Sequence, residues 1–142
     1  MPAADTYPLT SAQRDIWLDQ LSRGDSPLYT IGGYIDLRGG LQPHQLHLAL
    51  RALLAAHPVL RTELLLDAGA EGLPLQRFAP ADEAEAIELP MLDLSAETDP
   101  AAAALTWVQA HMQHTYRFDG SPLLTFTLLR LAPDRHWLAT HA

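Results

Sequence analysis

Apolar and polar positions alternate along the chain in two rhythms, and these mark out its elements. Ala12, Ile16, Trp17 and Leu21 recur at helical spacing and predict a helix over Thr10–Ser22. Thr10 and Gln13 stand in capping-box spacing, Pro8 fixes the approach, and Arg23-Gly24 supplies a stop. Leu28–Arg38 alternates as a strand. Ile31, Gly33, Ile35 and Leu37 form one face, and Thr30, Gly32, Tyr34, Asp36 and Arg38 the other. A second helix is predicted over Pro43–Ala56, with Leu46, Leu50, Leu53 and Leu54 as its buried stripe. His44, His47 and Arg51 fall on its opposite face.

The next strand is predicted at Leu60–Asp67, followed by a Gly69/Gly72 turn and a short strand at Leu75–Phe78. Pro80–Glu88 reads as a surface loop or short helix, and Ile87–Leu94 as an edge strand because of Pro90. Asp99-Pro100 opens a third helix expected to reach Tyr116, with Leu105, Val108 and Met112 inward. After a turn at Phe118–Pro122, Leu123–Leu131 and His136–Ala142 are strands separated by Ala132-Pro133-Asp134. The order of elements predicts an α/β domain, an α+β sandwich with helices packed on a mixed sheet.

Composition narrows the function classes. The 142 residues are 48% hydrophobic and 18% charged, a folded rather than a disordered balance. The net charge of −8 argues against a nucleic-acid partner, which calls for a basic face. Without cysteine, these residues form no disulfide and offer no thiol nucleophile or metal thiolate. No run of about 18 apolar residues predicts a membrane span. Met1–Asp5 lacks the charged start and apolar stretch of a signal peptide, so a cytoplasmic location is expected.

Candidate chemistry is sparse. His44/His47 and His111/His114 are i,i+3 pairs able to share a metal, but neither has a third ligand at a recognisable spacing. Solvated helix-face histidines are the simpler reading, and no metal is expected. The Gly32-Gly33 pair lies inside an alternating strand with no Lys-Ser/Thr after it. It therefore reads as a bulge or close backbone approach rather than a phosphate loop. Asp82, Glu83 and Glu85 read as a solvated face. From the residues alone, no self-sufficient active site emerges.

Three segments carry a resemblance. Tyr7–Leu18, containing Thr10, Ala12, Gln13 and Trp17, resembles the first motif of nonribosomal peptide synthetase condensation domains, Ser-x-Ala-Gln-x-Arg-hydrophobic-Trp. It is similar to the opening of the enterobactin-type synthetase. Ala56–Leu64, containing His57, Leu60, Arg61 and Thr62, resembles the second motif, Arg-His-Glu-x-Leu-Arg-Thr-x-Phe. Tyr116–Leu124 resembles the Phe-Asp-(x)n-Pro-Leu segment before the catalytic strand. Thr10 stands for the first motif's Ser, Asp15 reverses the charge of its Arg, and Pro58 replaces the Glu of the second.

The resemblance implies the N-terminal lobe of a chloramphenicol-acetyltransferase-like two-lobed domain with its active site in the tunnel between the lobes. Such a domain forms an amide between a donor acyl thioester and an acceptor aminoacyl thioester. Both ride on the phosphopantetheine arms of carrier proteins, so no cofactor is bound directly. The family's catalytic His-His-x-x-x-Asp-Gly is absent from these residues, and His141 falls just before the place of that pair. Residues 1–142 are thus expected to be a lobe cut short of its catalytic motif, inactive alone, with no catalytic residue of its own. The second lobe and the carrier proteins are the expected partners. Met1 lies six residues before Tyr7, which suits an initiating or first-module domain whose donor arrives on another chain or as an acyl starter. The alternative is a stand-alone, non-catalytic binding lobe.

Overall fold

The computed structural model describes residues 5–66, 69–115 and 123–142. The elements run β1 (Thr6–Pro8), α1 (Ser11–Arg23), β2 (Gly32–Arg38), α2 (Pro43–Ala56), β3 (Thr62–Leu65), β4 (Leu75–Phe78), β5 (Met91–Asp93), α3 (Pro100–His111), β6 (Thr125–Ala132) and β7 (Arg135–His141). Short 3-10 turns lie at Pro58–Arg61, Ala70–Gly72 and Ala81–Ala86. There are two sheets, a small antiparallel β1-β4-β3 and a mixed β2-β7-β6-β5. In the second, β5 runs parallel to β6 and the other pairs are antiparallel. The α/β class and the mixed sheet with helices packed on it are as expected.

The core is built on β6 and β7. Phe126 and Leu138 meet Leu50 and Leu54 of α2, whereas Leu129, Leu131, Trp137 and Ala139 meet Ala104 and Val108 of α3. One helix therefore covers each face. That is why β6 is apolar at Leu128 and Leu129 in succession, both fully buried, instead of strictly alternating. Burying a leucine side chain contributes about 1.5–3 kcal/mol. β2 and β5 are the edges. Asp36 on β2 accepts both Nε and Nη2 of Arg135 on β7 at 3.1 Å, so a bidentate ion pair reinforces the register there. That pair, ahead of Arg38, holds the Asp36 carboxyl below the usual carboxylate range.

Several expectations change. Thr10 caps α1 as its spacing with Gln13 predicts, but the predicted broad face of that helix is not buried. Leu21 is 59% exposed, and α1 contributes no side chain to either core cluster. β2 begins at Gly32, not Leu28, although Ile31 and Ala142 extend its ladder by exchanging backbone hydrogen bonds at 2.8 Å. Leu53, expected in the α2 stripe, is 42% exposed, whereas Leu46, Leu50 and Leu54 pack into the cluster against the sheet. The strand expected from Leu60 starts at Thr62, because Pro58 first drives the chain through a 3-10 turn; Asp67 lies outside the described residues. The 87–94 strand contracts to Met91–Asp93. α3 stops at His111, short of Tyr116, and Leu105 is 42% exposed, the inward positions being Ala104 and Val108. Tyr116 and the turn expected at Phe118–Pro122 lie outside the described residues.

Gly32 settles the glycine pair. A Cβ there would lie 2.6 Å from the Thr140 carbonyl oxygen and 2.9 Å from Met112 Sδ, whereas Gly33 has nothing within 4 Å. The first glycine is a close-approach position in a strand, not part of an anion loop.

Candidate functional site

The first motif forms a polar knot joining α1 to the small sheet. The Gln13 amide nitrogen donates to Thr10 Oγ1 at 3.2 Å, while Gln13 Oε1 accepts from the Thr10 amide at 2.8 Å. The same Gln13 side chain exchanges amide hydrogen bonds with Gln76 at 3.0 Å in both directions. Gln76, buried on β4, also donates to the Pro8 carbonyl of β1 at 3.1 Å. Gln13 thus completes the helix cap and ties it to β4, and Gln76 carries the tie on to β1. Ala12 is exposed, and half-buried Trp17 has a buried indole N–H with no acceptor among the described residues. Thr10→Ala removes the cap acceptor, and a loss of about 1 kcal/mol in urea unfolding is expected.

The second motif closes α2. No basic residue lies in the last turn of α2, so its final carbonyls need an outside donor. Arg61, beyond the 3-10 turn, folds back to supply it. Nη1 donates to the Leu54 and Ala55 carbonyls at 2.6 and 2.9 Å, and Nε to the Ala79 carbonyl at 2.7 Å. The Ala79 amide returns a bond to the Arg61 carbonyl at 2.8 Å. Thr62 Oγ1 donates to the Val59 carbonyl at 2.6 Å, Leu60 packs on the α2 cluster, and His57 is exposed at the C-cap. Leu60, Arg61 and Thr62 line a cleft of about 310 Å³ with Leu54, Ile87 and Leu124. Glu63 at its rim is bound to Arg77 at 2.7 Å, so the cleft is a largely apolar wall rather than a reacting centre.

The C-terminal end of β7 gathers the other features. Ala142 touches a recess of about 150 Å³ lined by Ile16, Gln20, Tyr29, Thr30, Thr115 and Leu123. Gln20, buried, donates to the Gly24 and Ser26 carbonyls at 2.7 and 3.0 Å and so shapes this wall. Next to it His141 is 4% exposed and lies 5.6 Å from the His111 ring and 5.9 Å from Trp107. Burial pushes its imidazole below the ordinary value of 6.5, helped by His111 and His114 and opposed by the Val108 carbonyl. Buried His136, at the other end of β7, is pushed down by burial and by Arg130, with Asp93 pulling it up.

The predicted histidine pairs do not converge as ligands. His47 donates to the Ile87 carbonyl at 2.7 Å, and His111 Nδ1 to the Trp107 carbonyl at 2.9 Å. Among the described residues no three His, Asp or Glu side chains are arranged to hold a metal. Sequence reasoning missed the meeting of His111 with His141, and missed Gln76. Both partners are tertiary neighbours set by strand register and helix docking.

Comparison with known proteins gives this geometry its family. The condensation domain family matches residues 3–141. The chain belongs to the condensation domain family. It is 33% identical to isonitrile lipopeptide synthase of Streptomyces coeruleorubidus over 93% of its own length and 9% of that protein's. It is 30% identical to enterobactin synthase component F of Escherichia coli K12, over 92% of this chain and 10% of that one. Its backbone matches the crystal structure of the starter condensation domain of rhizomide synthetase with a TM-score of 0.84 and 33% identity, covering 97% of this chain and 32% of the other. The chain is the N-terminal portion of a nonribosomal peptide synthetase condensation domain, about a third of such a domain in length. Among the described residues of this condensation domain, no helix is long and apolar enough to cross a membrane.

Proposed function

We propose that residues 1–142 are the N-terminal lobe of an amide-forming condensation domain. In this reading the amine of an acceptor aminoacyl thioester attacks the carbonyl carbon of a donor acyl thioester. The new C–N bond replaces the C–S bond, and the ammonium proton leaves as the donor's thiol is released. The family match over residues 3–141 carries the reading. The likeness to a starter condensation domain supports an initiating role for the whole domain. Both reactants arrive on phosphopantetheine arms of carrier proteins, and the complementary lobe closes the tunnel. The site is cytoplasmic, where carriers and acyl donors are made.

The lobe contributes scaffold and one tunnel wall. Thr10 and Gln13 anchor the start of α1, and Leu60, Arg61 and Thr62 hold α2 and the apolar cleft, with Ala12, Trp17 and His57 completing the two motifs. None of the eight is assigned a reacting role. Positioning two tethered thioesters supplies about 7–11 kcal/mol of barrier reduction, and handling the amine proton about 10²–10⁴-fold in rate. Neither is available to half a tunnel without the His-His-x-x-x-Asp-Gly motif.

The test compares the 142-residue chain with the complete domain encoded by its gene, each incubated with loaded donor and acceptor carriers. Mass spectrometry is expected to find amide only with the complete domain. Amide made by the 142-residue chain and abolished by His141→Ala would overturn the reading.

A further inference from the structure

We propose that Gln20 is a positioning residue of the amide-forming site: through residues 24–31 it sets where the chain leaves β7 at Ala142. This role rests on the amide-forming reading, in which the His-His-x-x-x-Asp-Gly motif comes directly after these residues.

The first support is what α1 buries. The helix gives no side chain to either core cluster, and its one buried residue is a glutamine, 8% exposed. A buried amide costs free energy unless its hydrogen bonds are met. Gln20 Nε2 donates to the Gly24 carbonyl at 2.7 Å and to the Ser26 carbonyl at 3.0 Å, which uses both of its protons. Gly24 takes a φ of +60°, a conformation that favours glycine, and the chain turns back there. Gln20 therefore holds the turn that leads from α1 toward β2.

The second support is what that segment is tied to. On the α1 side, Asp19 accepts the Tyr29 hydroxyl at 2.6 Å and Arg23 Nε at 2.7 Å. From the turn after α3, Thr115 Oγ1 donates to the Asp25 carbonyl at 2.6 Å, and Thr30 Oγ1 donates to the His114 carbonyl. At its far end the Thr30 amide donates to the Pro27 carbonyl at 3.0 Å, and Ile31 and Ala142 exchange backbone hydrogen bonds at 2.8 Å. Residues 24–31 are thus a frame held by α1 and the end of α3, and the last residue of the β7 ladder is paired to it.

The third support is that the frame stands apart from the core. Gln20, Tyr29, Thr30, Thr115 and Ala142 share one recess of about 150 Å³. None of them belongs to either core cluster. A shift of the frame therefore reaches Ala142 without passing through the packed faces of β6 and β7. Losing the two Gln20 donors loosens the exit from β7 while α2 and α3 stay docked.

The test uses the complete domain encoded by its gene, with loaded donor and acceptor carriers. Gln20→Met keeps the volume and removes both donors. Its kcat is expected to fall by at least about tenfold, with KM for either carrier within about twofold of the parent, because a misplacement of about 1 Å far from the chemistry can cost about 10²-fold. Hydrogen exchange of the same variant is expected to quicken by about tenfold at the Thr30, Ile31 and Ala142 amides, with β6 unchanged. A residue that only adds stability would leave the kcat of the folded protein as it was. Should Gln20→Met not fold, Thr115→Val, which cuts the tie from the α3 side, is expected to show the same pattern with kcat lower by at least about threefold. A parental kcat in the variant that folds, a loss carried by KM, or equal acceleration of exchange through β6 would overturn the proposal. A parent domain that makes no amide would overturn the amide-forming reading, and this role with it.

Discussion

Arg61→Ala is expected to lower unfolding stability by about 2–4 kcal/mol, and Arg61→Lys to recover less than half of that. Hydrogen bonds from a charged donor contribute about 1.5–3 kcal/mol each in favourable settings, and the carbonyls left behind are partly buried. The guanidinium serves three carbonyls on two separate segments, the end of α2 and the residue after β4. A lysine ammonium is a point donor and does not span that fork. It still places a cation at the C-terminal end of the α2 dipole, hence the partial recovery. Urea unfolding followed by circular dichroism measures the loss, with a melting temperature lower by roughly 10 °C for the alanine variant. A lysine variant as stable as the parent would show that charge, not the fork, is what matters.

Gly32→Ala is expected to cost about 1–3 kcal/mol, whereas Gly33→Ala is neutral or stabilising by up to about 1 kcal/mol. The two positions adjoin in one strand and differ in what lies above the Cα. At Gly32 the new methyl meets a backbone carbonyl oxygen at 2.6 Å, which cannot rotate aside, together with Met112 Sδ and His141 Cδ2. The strain falls on the β2–β7 ladder and on the end of α3. At Gly33 the methyl enters open space, and the main effect is reduced freedom of the unfolded chain. Thermal melts of the two variants side by side decide the matter; equal losses would remove the steric argument.

What was legible in the sequence was local. Thr10 with Gln13 and Asp99 with Pro100 mark helix starts because the capping partners lie within three residues, and the structure has both caps. β4 and α2 keep their predicted bounds because turn residues flank them. The end of α3 was not legible. Its C-cap is Met112, with no glycine or proline to stop the pattern, and its alanine run gives little indication of which face turns inward. β1 is three residues long, and its pairing with β4 joins positions some 70 residues apart. The motif residues were legible as a family pattern, but their partners were not. Gln76 for Gln13, and the α2 carbonyls for Arg61, exist only once helices and strands have docked.

The pairing of β2 with β7 has a consequence for synthesis on the ribosome. Gly32 and His141 are partners across about a hundred residues of chain. At roughly 5–20 residues per second, β2 emerges some 5–20 seconds before the strand that completes its ladder. Through that interval both its backbone edges and the side chains of Ile31 and Ile35, which remain 68% and 58% exposed even after folding, face the surroundings. Until β7 emerges, the sheet lacks the strand that joins β2 to β6, and the unpaired edges of β2 are open to misassociation in the nascent chain.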